Sequence, residues 1–212
     1  MAQIPSFLKI RPIKPVNTPN QLGVSPSLAT KNSLNFIMQN QTQTQWCWAA
    51  VSTSISLFYQ SGSTWRQCKV ANKAWSRTDC CGAGASGLCN NPWYLDRALK
   101  LVEVFDRMTG ASESFVASKS EIDSGNPLCL RVGWSNGGGH FLAIVGWRKT
   151  SNGNEYYDVD DPIYGRQTIL KFQLESSYQG RGKWTHSYFV AQNPSGGGTI
   201  LIEIDDPEML GA

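Results

Sequence analysis

Residues 41–62 run QTQTQWCWAAVSTSISLFYQSG, and the fold turns on how they are read. Trp48, Val51, Ile55 and Phe58 recur at helical spacing and Gly62 ends the run, which predicts a helix over residues 47–59. Cys47 stands in its first turn. There the partial positive charge of the helix N-terminus favours a thiolate over a thiol, and the thiolate is the nucleophilic form. A lone cysteine is more often a small buried hydrophobe. The nucleophile reading therefore expects the Cys47 side chain to face a cleft and not the core.

Upstream, residues 1–33 hold Pro5, Pro12, Pro15, Pro19 and Pro26 amid Asn, Ser and Thr without periodicity, so they read as an extended arm, linker or pro-segment before a domain over residues 34–212. Downstream, Cys68, Cys80, Cys81 and Cys89 lie in a stretch that reads as loop, and Asn91-Pro92 opens a second helix running to about Leu101. Beyond a short capped turn at Ser120-Glu121 the pattern becomes strands: 128–134, 141–147, 156–159, 167–172, 187–190 and 199–204. Helices first and strands afterwards indicate an α+β fold, a helical lobe against an antiparallel sheet.

Composition narrows the function. A chain of 212 residues with 41% hydrophobic and 11% aromatic content fits one domain with a large core. The net charge of +3 comes from scattered Lys and Arg, which gives no footprint for nucleic acid or anionic lipid. No apolar run approaches the ~18 residues of a membrane span, and residues 1–15 lack the apolar core of a secretory signal. Only 17% of residues are charged while Asn, Gln, Ser and Gly abound, a balance expected of a secreted or extracytoplasmic protein.

The chain has two histidines. His140 follows Gly137-Gly138-Gly139 at the mouth of a strand, where glycines would let a substrate backbone approach and the imidazole could reach a helix N-terminus on a facing lobe. His186, in Trp184-Thr185-His186-Ser187-Tyr188, reads as structural.

Gln41, six residues before Cys47, then Trp46-Cys47-Trp48-Ala49-Ala50, Gly138-Gly139-His140-Phe141, Val145-Gly146-Trp147 and Asp161-Pro162 together resemble the papain-like cysteine peptidases of the bacterial C39-like and AvrRpt2-like groups. The resemblance spans residues 41–164 and implies a site in the cleft between a helical and a sheet lobe. It makes Cys47 the nucleophile, His140 its base, Asp161 the acid that orients His140, and Gln41 an oxyanion donor. It implies no cofactor, no metal and a peptide or protein substrate; the oligomeric state lies beyond the sequence, with a monomer as the expectation. The Cys-Gly-Ser-Cys-Trp run of plant papains is absent, and Asp replaces Asn as third member. The same residues would also serve an acyl transferase, ligase or cyclase, and a binding module could retain the scaffold.

Competing readings attach to several of these positions. Gln39, Gln43 and Gln45 flank Gln41, and Asp158, Asp160 and Asp161 have the composition of a calcium loop. The related groups often carry a cysteine cluster, which implies two disulfides in an oxidising compartment. Adjacent Cys80 and Cys81 are poor partners for each other. That leaves Cys68 with Cys80 and Cys81 with Cys89, or Cys68 with Cys81 and Cys80 with Cys89; four-thiolate zinc is the rival. Cys129 reads as a buried spare. Finally, a tight turn centred on Asn152-Gly153 sets opposed residues to sum to 305, which puts Asp161 opposite Ile144 on the face of His140. A one-residue bulge would invert that face.

Overall fold

The computed structural model describes residues 30–193. Three helices form one lobe: α1 (Cys47–Tyr59), α2 (Gln67–Ala74) and α3 (Leu95–Leu101). The other lobe is a seven-stranded antiparallel sheet of β1 (Thr30–Ser33), β2 (Phe105–Thr109), β3 (Leu128–Trp134), β4 (Gly139–Lys149), β5 (Glu155–Asp161), β6 (Gly165–Leu170) and β7 (Gly182–Val190). The strands follow the order β2-β7-β3-β4-β5-β6. β1 pairs with the far half of β4, Thr30 opposite Lys149 and Ser33 opposite Gly146. Two short helices, α4 (Phe115–Asp123) and α5 (Lys171–Ser176), complete the fold. The arrangement is the expected α+β class.

α1 is the central post of the helical lobe. All its residues from 47 to 56 are buried, so it is enclosed on every side and not amphipathic. Three of its buried hydroxyls are satisfied inside the helix, Ser52 and Thr53 donating to the Ala49 carbonyl and Ser54 to that of Ala50, while Ser56 pairs with the Ser63 hydroxyl beyond it. Around it Trp48, Trp75 and Trp93 meet at 5.3 to 6.4 Å between ring centroids.

Two hydrophobic cores use the two faces of the sheet. Phe141, Ala143 and Val145 of β4 point to the helical lobe; Leu142 and Ile144 point to the opposite core with Leu128, Leu130, Val132, Tyr157 and Val159. The period of two in each strand makes this division.

Several expectations need correction. The stretch read as loop around Cys68 contains α2, whose buried face is only Gln67, Val70 and Ala71; its hydrophobic signal is too sparse to register. The turn at Ser120-Glu121 is the helix α4, capped by Ser114, whose hydroxyl accepts from the Ala117 amide. Thr30–Ser33, at the end of the proline-rich stretch, form β1. The rest of that stretch and the strand expected at 199–204 lie outside the described residues.

Disulfides join Cys68 to Cys81 and Cys80 to Cys89. This is the second of the two pairings left open by the sequence. Cys80 and Cys89 lie close to Asp79 in a metal-like grouping, but both sulfurs are committed to the bridge. Cys129 is buried, and burial pushes its thiol pKa well above the usual range.

Candidate active site

The segment entering α1 is held from many directions. Gln67 accepts from the Thr42 amide at 2.8 Å and donates to the Asn40 carbonyl at 2.9 Å, gripping the backbone on both sides of Gln41. The Gln41 amide donates to the Pro162 carbonyl at 3.0 Å, which ties this segment to the residue after Asp161. Asn90 accepts from the Gln45 amide, and the Trp46 indole donates to the Cys89 carbonyl at 2.8 Å. The disulfide-bonded loop thus clasps the two residues before Cys47.

Cys47 begins α1, and no side chain caps that end of the helix. The amides of the first turn have no intrahelical acceptor and point toward the thiol's surroundings. The residue is only 1% exposed and belongs to the larger core, so the expectation of a nucleophile open to a cleft is not met in this state.

β4 delivers His140 and β5 delivers Asp161, and the two side chains meet: His140 Nε2 donates to Asp161 Oδ2 at 2.9 Å. Both are buried, at 2% and 1% exposure. Cys47 is near enough to the imidazole to be among the groups that raise its pKa. With Nε2 committed to Asp161, Nδ1 is the ring atom left for the sulfur. Burial pulls the His140 pKa down, but the bond to Asp161, the nearness of Cys47 and the charges of both outweigh it and push the value up to about 10.

Asp161 is saturated with donors. Its Oδ2 also accepts from the Tyr178 hydroxyl at 2.7 Å, while Oδ1 accepts from the amides of Ile163 at 2.6 Å and Tyr164 at 2.9 Å. Burial opposes its charge, but His140 and these two amides hold the carboxyl below the ordinary carboxylate range. The Asp-Pro turn is itself part of the device, since the backbone that turns after Asp161 supplies two of its four hydrogen bonds. Asp158 and Asp160 are engaged elsewhere, with Arg148 and Thr168 and with Arg166 respectively, so the three carboxylates do not converge on one ion.

The register behind this meeting differs from the expectation. Near the turn, Lys149 opposes Glu155 and Trp147 opposes Tyr157, a sum of 304 and not 305. A one-residue irregularity between Ile144 and Gly146 then shifts the sum to 303, with Ile144 opposite Val159 and Ala143 opposite Asp160. The turn and the bulge each invert the parity, so Asp161 stays on the face of His140.

Gln41 lies at the same site but its amide is occupied: Nε2 donates to the carbonyls of Gln43 and Thr44, both at 2.9 Å, and its buried Oε1 has no hydrogen-bond partner. His186 stands apart, its Nδ1 3.0 Å from the Thr185 hydroxyl. The glycines before His140 also have other reasons than substrate approach. Gly137 and Gly138 take positive φ of 91° and 74°, and a Cβ on Gly139 would strike the Arg131 guanidinium at 2.7 Å.

Three aromatic residues that frame the site escaped the sequence reading. Trp134 stacks on His140 at 6.1 Å and on Tyr178 at 6.4 Å, and Tyr164 meets the imidazole edge-on at 6.2 Å. Trp134, at the end of a strand just before the glycine run, was within reach of inference; Tyr178, 17 residues from Asp161, carried no local signal.

No curated protein matches the chain. Among solved structures, it resembles a candidate C39-like peptidase from Bacillus anthracis, known from its crystal structure, with a TM-score of 0.50 and 15% identity over 75% of this chain and 97% of that one. The sequence profile of the Peptidase_C39 like family matches residues 33–186, which include Cys47, His140 and Asp161, and the chain therefore belongs to that family.

Proposed function

We propose that this peptidase-family chain hydrolyses peptide bonds through a Cys47–His140–Asp161 triad and a covalent acyl-enzyme. The observation that carries the reading is the meeting of His140 and Asp161 at 2.9 Å, with a cysteine at a helix N-terminus near enough to raise the pKa of the same imidazole. In the proposed reaction Cys47 Sγ attacks the carbonyl carbon, and His140 Nδ1 gives its proton to the departing amine, breaking the C–N bond. Water then attacks the thioester with His140 as base, releasing the acid and restoring the thiol. Asp161 keeps the proton of Nε2 in place, which fixes the tautomer.

The Cys47 amide and the Gln41 side chain are the proposed oxyanion donors, on the order of 3 kcal/mol for one good donor. Gln41 would have to release the Gln43 or Thr44 carbonyl to serve. The further resemblance to AvrRpt2-like enzymes rests on the motifs alone. Two disulfides support an oxidising, extracytoplasmic setting, and among the described residues no helix is long and apolar enough to cross a membrane.

The test is a degenerate peptide library incubated with wild type and with Cys47→Ala, followed by mass spectrometry of the products. New termini that carry the mass of water and vanish in the variant are expected. Products carrying an amine in place of water would make the enzyme a transferase, and cleavage that persists without Cys47 would remove the thiol mechanism.

A further inference from the structure

A cavity of about 620 Å³ opens beside the glycine turn that leads into His140. Arg131, Arg181 and Lys183 line it with Trp134, Gly138 and Thr185, and no Asp or Glu is among its lining residues. The three cations are presented differently. Arg131 is buried and its guanidinium is fixed: Nη1 donates to the Thr185 hydroxyl at 3.1 Å and Nη2 to the Gly138 carbonyl at 3.0 Å. Gly133 and Gly139, opposite each other in β3 and β4, leave the slot it occupies, since a Cβ on either would lie 3.0 Å or less from it.

Arg181 lies over the Trp134 ring at 5.1 Å, and the same ring stacks on His140 and Tyr178. Arg181 and Lys183 are exposed, and neither forms an ion pair with another described residue. A concave wall with one immobilised guanidinium, two unpaired rim cations and no acid is complementary to an anion.

Its position gives the anion a place in the reaction. His140 must protonate the leaving nitrogen, so the part of the substrate beyond the scissile bond passes along the lobe that carries His140. Trp134 and Gly138 make the cavity continuous with that side. Resting on the peptidase reading for its substrate, we propose that this pocket is a subsite for a carboxylate on the leaving-group side of the peptide, either an Asp or Glu side chain or the free C-terminus.

Binding tests the pocket separately from the chemistry. Degenerate peptide pools containing Asp and Glu, and matched pools with Asn and Gln in their place, are made with free and with amidated C-termini. They are passed over immobilised full-length Cys47→Ala protein. Carboxylate-bearing peptides should be retained about tenfold better, at about threefold for each rim cation, and the preference should fall to near unity when Arg181→Gln and Lys183→Gln are added. Preference for acidic residues in amidated pools assigns the side chain; preference for the free terminus in neutral pools assigns the C-terminus. Equal retention of all pools, or a preference that survives the double substitution, overturns the proposal. Wild-type protein run in parallel keeps the two readings apart: selective retention without any cleavage would sink the peptidase reading and leave the subsite standing.

Discussion

The two lobes hold their parts of the site by different physics. Cys47 is fixed by packing: it opens a helix buried all round, roofed by tryptophans and clasped by a disulfide-bonded loop. His140 and Asp161 are fixed by register and hydrogen bonding on a sheet that contains no disulfide among the described residues, with four donors converging on one carboxylate. A nucleophile needs a fixed place and a helix end behind it, which apolar burial and crosslinks provide. A base needs a fixed proton, which only directional polar partners provide.

The comparison is broken most severely at Asp161. Asp161→Ala should lower kcat/KM by about 10³- to 10⁴-fold, the scale for losing the orienting acid of a triad. Asp160→Ala, which removes only the ion pair to Arg166, should stay within about tenfold. Steady-state rates on one peptide measure both, and the reverse ranking would show that the bulge at Val145 does not set the working face.

On the other lobe, stability should respond more than chemistry. Replacing Cys80 and Cys89 by Ser opens a bridge of sequence separation 9, worth about 2.5 kcal/mol on loop-entropy grounds. The urea midpoint should fall accordingly while hydrogen exchange in β4 and β5 stays protected. Loss of protection in the sheet at the same denaturant concentration would mean that the lobes are not separable in this way.

Tyr178→Phe sharpens the polar side. It removes one of four bonds to Asp161 and should cost about 1 kcal/mol, or roughly fivefold in kcat. An unchanged rate would reduce Tyr178 to packing against Trp134.

A separate effect is on pH. His140 has its folded pKa raised from 6.5 to about 10, so its contribution to stability is complete below about pH 6.5 and is lost as pH rises toward 10. Asp161 has a lowered pKa, and its contribution is present above about pH 3.8 and lost as pH falls through the folded value. Thermal midpoints should therefore decline on the alkaline side, and Asp161→Asn should flatten that decline. A slope equal to that of wild type would place its origin elsewhere.

How much of this the sequence disclosed follows from the range of each interaction. Helix α1 and strand β3 have the predicted bounds, because their patterns are strong and local. α2 was missed because what holds it is tertiary: Gln67 grips residues 40 to 42, and Cys68 is bridged to Cys81. The facing of Asp161 toward His140 was legible only by the cancellation of two parity changes, since a five-residue turn and a bulge leave no mark in a period-two pattern. For Gln41, no spacing argument foretells that its side-chain amide is spent on the carbonyls of Gln43 and Thr44.

The strand order also bears on the making of the molecule. β7 is the last of the described strands along the chain but lies between β2 and β3 in the sheet. During synthesis the helical lobe and its sulfur bridges, spanning residues 68 to 89, are available to close early through contacts near in sequence. The sheet keeps an empty berth beside β3 until residue 190 has left the ribosome. A chain interrupted before that point would lack the strand that joins β2 to β3, so the sheet that holds His140 against Asp161 closes only after its last described strand has emerged.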